Sequence, residues 1–178
     1  MKDKMIIDNN TFVKYINKDQ IKLRIEELSL SLTDYYKNKE PLVIGVLNGC
    51  IYFMMDLLKE SSFNYSIEFI KAKSYIGMKS SKLSIDFSSI GNIEGKNILL
   101  VEDIIDTGKT ISKIYKEIED LKPADIKVAT LLHKVEVNQS SVNIDWCGFE
   151  IDDKFVIGYG LDYNSLFRNL KDIYKKDE

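Results

Sequence analysis

Residues 97–121 read Asn-Ile-Leu-Leu-Val-Glu-Asp-Ile-Ile-Asp-Thr-Gly-Lys-Thr-Ile-Ser-Lys-Ile-Tyr-Lys-Glu-Ile-Glu-Asp-Leu, and the fold follows from them. Residues 98–101 are an unbroken apolar run, the pattern of a strand buried on both faces of a parallel sheet. From Ile111 the period changes. Ile111, Ile114, Tyr115, Ile118 and Leu121 fall on one face of an amphipathic helix. Between strand and helix lie three acids, Glu102, Asp103 and Asp106, and the run Thr107-Gly108-Lys109-Thr110. The stretch predicts a strand, a loop of small hydrogen-bonding residues and a helix start.

Such a junction suits an anion. The first-turn N–H groups of a helix lack partners, its dipole favours negative charge, and Gly108 lets the backbone come close. Thr107 and Thr110 add hydroxyl donors. The Gly-x-x-x-x-Gly-Lys-Ser/Thr spacing of a P-loop is absent, so the cradle fits one phosphate rather than a triphosphate. Glu102 and Asp103 would repel that phosphate. At the strand's end they can instead accept from sugar hydroxyls or help hold a divalent cation. Acceptors for a ribose beside donors for its phosphate describe a ribose-phosphate site. The plainer alternative is a solvated acidic loop with a helix cap.

Working outward, Asn17 and Gln20 form a capping-box pattern, and Ile21, Ile25, Leu28, Leu32 and Tyr35 mark a helix to about Tyr36. Residues 42–47 predict a buried strand, Asn48-Gly49-Cys50 its turn, and Ile51, Met54, Met55 and Leu58 a short helix face. Residues 65–74 read as a strand. Residues 76–95, rich in Ser, Lys and Gly, predict a mobile flap with a short ribbon around 83–87. Pro123 ends the central helix, and 126–132 form another apolar strand. Residues 135–143 read as irregular, 143–149 and 155–159 as strands, and the charged tail from Lys171 as peripheral. Strands alternating with helices imply an α/β fold with a mostly parallel twisted sheet flanked by helices. Ligands in such sheets sit at the carboxyl ends of strands, where Asn48-Gly49, Ser74-Tyr75, 102–110, Lys134 and Asp162 all fall.

The 178 residues predict a single domain, 1–178. A net charge of −3 argues against nucleic acid as a partner. The cluster Lys71, Lys73, Lys79 and Lys82 would attract a small polyanion. No apolar run approaches the roughly 20 residues that span a bilayer, and no signal-peptide core follows Lys4. Two cysteines make no disulfide framework, and no Cys/His cluster suggests zinc. A cytoplasmic enzyme without a membrane partner is expected.

Val-Glu-Asp-Ile-Ile-Asp-Thr-Gly-Lys-Thr, ten consecutive residues at 101–110, resembles the phosphoribosyl-diphosphate (PRPP) motif of the type I phosphoribosyltransferases, closest to the hypoxanthine-guanine branch. The resemblance extends over roughly 42–170. Val46-Leu47-Asn48-Gly49 is similar to that family's diphosphate loop and Ser74-Tyr75 to the start of its flap. Leu131-Leu132-His133-Lys134 is similar to the segment whose lysine contacts the purine, and Cys147-Gly148-Phe149-Glu150-Ile151 to its Val-Gly-Phe-Glu-Ile. Residues 155–163 with Phe167-Arg168 resemble its purine-binding and metal-contacting tail. Two positions depart: Asn48 stands where many members have lysine, and Asp152, ahead of Asp153-Lys154, where many have proline.

The resemblance implies the type I phosphoribosyltransferase fold with a small hood and a mobile flap, and transfer of phosphoribose from PRPP to hypoxanthine or guanine. It implies PRPP contacts by Glu102, Asp103, Asp106, Thr107, Gly108, Lys109, Thr110, Asn48, Gly49, Ser74, Tyr75 and Arg168. Purine contacts fall to Lys134, Phe155, Val156 and Asp162, and Mg²⁺ to Asp162, Glu102 and Asp103. Assembly into a homodimer or homotetramer is implied by the family alone. The residues agree in kind: Phe155 can stack on a planar base, and a lysine after a buried strand is seldom structural. Asp106 precedes the phosphate cradle, where it can handle a proton of the purine or offset charge on the sugar. His133, the only histidine, alternates to the other side of its strand. An RNA-binding regulator would need a basic face. A phosphorelay receiver would carry its phosphoacceptor on a different strand from its acid pair, whereas Asp106 shares one loop with Glu102 and Asp103.

Overall fold

The structure, a computed structural model, describes residues 3–77 and 80–177, and of 73–77 and 80–83 the backbone alone. In chain order the elements are β1 (Lys4–Ile7), β2 (Asn10–Ile16), α1 (Lys18–Tyr36), β3 (Leu42–Leu47), α2 (Ile51–Glu60), β4 (Ser66–Gly77) and β5 (Ser80–Asp86). There follow β6 (Asn97–Ile105), α3 (Lys109–Glu119), β7 (Asp125–Lys134), β8 (Trp146–Ile151), β9 (Val156–Ile157) and β10 (Ile173–Lys176). The main sheet has the order β5-β4-β3-β6-β7-β8. Its pairs are parallel except β4 with β5. This is the mostly parallel α/β sheet expected from the apolar runs.

Alternation along the strands sorts the core into two layers. Val43, Leu99 and Val101 pack with Leu28 and Leu32 of α1 and with Phe53 and Leu57 of α2. Their sequence neighbours Ile44, Ile98 and Leu100 pack with Ile111, Ile114 and Ile118 of α3 on the opposite face. Period-two side chains on twisted strands leave one helix layer for each face. α1 begins with the predicted capping box: Asn17 Oδ1 accepts from Gln20 N–H at 2.9 Å, and Gln20 Oε1 from Asn17 N–H at 3.0 Å.

Several expectations are corrected. β6 runs on to Ile105, so Glu102 and Asp103 are buried strand residues rather than residues at its end. The β7 side of the sheet supplies ladder partners that far, since Glu102 and Ile104 pair in register with Thr130 and Leu132, whereas the β3 ladder stops at Val101. α2 buries Phe53, Met54, Leu57 and Leu58, while Ile51, at its first position, stays 41% exposed. α3 ends at Glu119, so Leu121 leaves the helical face and is exposed. The supposed loop after residue 76 is a longer ribbon, with β4 and β5 pairing from Lys71↔Asp86 to Gly77↔Ser80.

The ends of the chain build a second sheet, β1-β2-β10-β9, all antiparallel. The tail is therefore not peripheral: Ile173 and Tyr174 of β10 are buried, and Tyr174 packs with Phe12 of β2 and Ile157 of β9. This is the small hood: its strand β9 belongs to the segment 155–163, and Phe12 of β2 packs edge-on with Phe155 and Tyr163. Among the described residues no helix is long and apolar enough to cross a membrane.

Candidate active site

The carboxyl ends of β3, β6 and β7 meet at one edge of the main sheet, and three adjoining cavities open there. One, of 230 Å³, is lined by Glu102, Asp106 and the loop from Thr107 to Thr110. A second, of 240 Å³, lies between Asn48-Gly49 and Asp162-Arg168 and is floored by Glu102, Asp103 and Thr110. The third, of 200 Å³, is bounded by Asp103, Asp106, Lys134, Phe155, Val156 and Asp162. Shared walls make them one trench. Glu102 and Thr110 join the first to the second, Asp103 and Asp162 the second to the third, and Asp106 the first to the third.

The first compartment is shaped by backbone. Gly108 is the N-cap of α3 at φ +77°, a left-handed conformation that side chains resist. A Cβ there would also fall 2.2 Å from Asn138 Oδ1. Ser112 N–H closes the first helical bond to Gly108 C=O at 3.0 Å. Thr107 to Thr110 line the cavity where the first-turn N–H groups of a helix lack helical partners, as a phosphate cradle requires.

In the second compartment the turn after β3 begins with a cis Leu47–Asn48 peptide. It presses so closely on β6 that a Cβ at Gly49 would lie 1.7 Å from Asp103 Oδ2. Only glycine fits. Asn48 is exposed and brings an amide where a lysine would bring a charge. Across the cavity Arg168 forms an ion pair with Asp162 and donates to Gly160 C=O at 2.6 Å. Asp162 also accepts from Ser165 N–H at 2.8 Å, so both side chains are held in place.

Charge is most unusual beneath these two compartments. Burial pushes the Glu102 carboxyl well above its ordinary range, and the neighbouring Asp103 carboxylate adds to the shift. Burial also raises Asp103, although hydrogen bonds and the Arg168 guanidinium pull the other way. Glu102 Oε2 is buried and has no hydrogen-bond partner among the described residues. A buried acceptor of this kind calls for a ligand donor or a cation.

The third compartment has a stacking wall and a charged end. Phe155 is 47% exposed and is held edge-on by buried Phe12 at 6.3 Å and by Tyr163 at 5.9 Å between ring centroids. Lys134 is buried, as sequence reasoning did not anticipate, because two carboxylates compensate it: its Nζ donates to Asp106 Oδ2 at 3.1 Å and to Asp153 Oδ1 at 2.8 Å. Burial alone would pull the ammonium pKa down, but the two aspartates outweigh it and hold the pKa above the ordinary value.

The trench thus brings together every predicted site residue except Ser74 and Tyr75. Their backbone runs in β4 opposite Leu83 and Lys82, and their side chains lie outside the described residues. Lys79 lies wholly outside them. His133 is turned aside, its Nε2 2.9 Å from Asn138 Nδ2. Sequence reasoning missed Asp153, Phe12 and Asn138. Asp153 had a faint signal as an acid two positions before the stacking aromatic. The other two are remote from the motifs they support.

The description of the matching family model is phosphoribosyl transferase domain, and it covers residues 14–164. The chain is 42% identical over 156 residues to the hypoxanthine-guanine-xanthine phosphoribosyltransferase of Tritrichomonas foetus, covering 86% of this chain and 85% of that protein. It is 38% identical over 157 residues to the hypoxanthine-guanine phosphoribosyltransferase of Bacillus subtilis, covering 87% of each. A solved hypoxanthine phosphoribosyltransferase from Staphylococcus aureus superposes with a TM-score of 0.86 at 33% identity, covering 92% of this chain and 90% of that one.

Proposed function

The chain belongs to the phosphoribosyl transferase family, in its hypoxanthine-guanine branch, and we infer that its trench transfers the 5-phosphoribosyl group of PRPP to hypoxanthine or guanine. The products are the purine nucleotide and diphosphate, which makes it a purine salvage enzyme. The observation that carries the reading is the continuity of the three compartments across Glu102, Asp103 and Asp106. A 5′-phosphate, a ribose with its diphosphate, and a purine need such an order.

In this reading Thr107, Gly108, Lys109 and Thr110 bind the 5′-phosphate. Glu102 and Asp103 accept from the ribose hydroxyls. Asn48, Gly49 and Arg168 face the diphosphate. Arg168 offers a forked set of donors. Phe155 stacks on the purine, the Val156 backbone reads its edge, and Lys134 donates to its 6-oxo group.

The bond between the anomeric carbon and diphosphate breaks as a purine ring nitrogen bonds to that carbon. Positive charge grows on the sugar and negative charge on the departing group. Asp106, half exposed at the junction of the phosphate and purine compartments, offsets the first and can accept the purine's imidazole proton. Magnesium fits the donor set. Among the described residues no cluster of three or more His, Cys, Asp or Glu forms an all-protein cage. Mg²⁺ characteristically takes one or two carboxylates and completes its shell with substrate oxygens and water. One or two of Glu102, whose Oε2 is unpartnered, Asp103 and Asp162 would hold it, and it would neutralise the diphosphate. A single domain of 178 residues acting in the cytoplasm as a homodimer or homotetramer completes the proposal. Exposed Leu30, Ile51 and Tyr52 offer apolar surface for assembly.

Asp106→Asn tests the roles. It should lower kcat about 10²- to 10⁴-fold, the usual worth of a positioned proton-transfer group. PRPP affinity, read by calorimetry, should stay within a fewfold. Equal losses in both would reduce Asp106 to a structural residue of the loop.

A further inference from the structure

Lys134 ends β7, and its two partners come from the strands on either side. Asp106 follows β6, and Asp153 follows Ile151 of β8, which pairs in register with Lys134. An ammonium has three N–H donors and no acceptor. Two are used, at 3.1 Å by Asp106 and at 2.8 Å by Asp153. The lysine side chain is 8% exposed, so these bonds fix where the third donor can point. The remaining open side is the compartment walled by Phe155 and Val156.

We propose that Asp153 is a positioning residue for base recognition: it anchors Lys134 so that one N–H is left for the purine's 6-oxo group, and it frees Asp106 from being the lysine's sole counter-charge. The inference rests on the reading of this compartment as the purine site. A single aspartate shared between lysine and purine would have to break its ion pair to take part in the reaction. A second one removes that conflict. Asp106 can turn to the purine's imidazole edge while Lys134 stays charged and aimed. The O6 acceptor and the adjacent ring N–H of a 6-oxopurine then meet a donor and an acceptor held side by side. Adenine, with an amino group at position 6, meets donor against donor.

The test is steady-state kinetics of Asp153→Asn, which keeps shape and loses charge, beside Asp153→Glu and the exposed neighbour Asp152→Asn. With Asp153→Asn, KM for hypoxanthine should rise about 10- to 100-fold, the worth of one hydrogen bond to a charged group. The hypoxanthine-to-adenine preference should shrink, and KM for PRPP should stay within twofold. Asp153→Glu should recover part of the loss, and Asp152→Asn should behave as the unmodified protein. Unchanged KM and base preference in Asp153→Asn would overturn the proposal. So would parallel rises in both KM values with a lowered melting temperature, the signature of a merely structural carboxylate. Failure of the unmodified protein to make nucleotide from any 6-oxopurine would instead contradict the function itself.

Discussion

At the residue scale the most telling side chain is Glu102, a carboxyl kept at the floor of the trench against its own solvation. Its ordinary pKa is 4.5, and burial raises the folded value well above that. The folded state therefore keeps a proton in a pH range where the unfolded chain has lost it. The resulting stability is fully present below about pH 4.5 and is lost as pH rises through the folded pKa. Glu102→Gln removes this titration. The variant's melting temperature should gain on that of the unmodified protein as pH rises from about 4.5 to neutrality, measured without ligands. Its kcat/KM for PRPP should fall tenfold or more, one bond to a charged group being worth about 1.5–3 kcal/mol. Such opposed changes are expected where a site is held at a cost in stability. Melting curves with parallel pH dependence would show that Glu102 is not held protonated. The sequence exposed this residue's identity but not its burial, because a run of four apolar residues understates how far β6 extends beneath the site.

At the element scale the strand–loop–helix unit of β6 and α3 was readable because its two periods meet at a glycine, and α1 because Asn17 and Gln20 announce its start. The segment after β7 was readable only as irregular. Yet it forms the floor of the phosphate loop: Gln139 N–H donates to Thr107 C=O at 3.1 Å, and Asn138 Oδ1 accepts from Ser140 N–H at 2.9 Å below Gly108. Side-chain hydrogen bonds in an aperiodic loop leave no pattern to count. Asn138→Ala removes that acceptor and the partner of His133, so the floor loosens. KM for PRPP should rise about 3- to 10-fold, the worth of one or two neutral hydrogen bonds. KM for hypoxanthine should change less. An unaltered KM for PRPP would show that the loop keeps its shape without this support.

At the scale of the whole molecule, the main sheet was legible, and of the hood's strands only the one read at 155–159 was, as β9. Parallel strands buried on both faces read as continuous apolar runs. The hood's strands are short, down to the two residues of β9, and they pair across nearly the full chain, as Lys176 does with Phe12. Both parts are needed for base choice, since the sheet supplies Lys134 and Asp106 while Phe12 of the hood backs the stacking face of Phe155. A buried lysine with only donors to offer should accept a carbonyl at position 6 and refuse an amino group. The most direct measurement is the ratio of kcat/KM for hypoxanthine and adenine in the unmodified protein, with PRPP and Mg²⁺ present. The account predicts a preference for hypoxanthine on the order of 10⁴–10⁵, as for a site whose buried polar group is otherwise left unpaired. Lys134→Ala should shrink that preference. Adenine turned over as readily as hypoxanthine would contradict the role of Lys134 and, with it, the purine site described here.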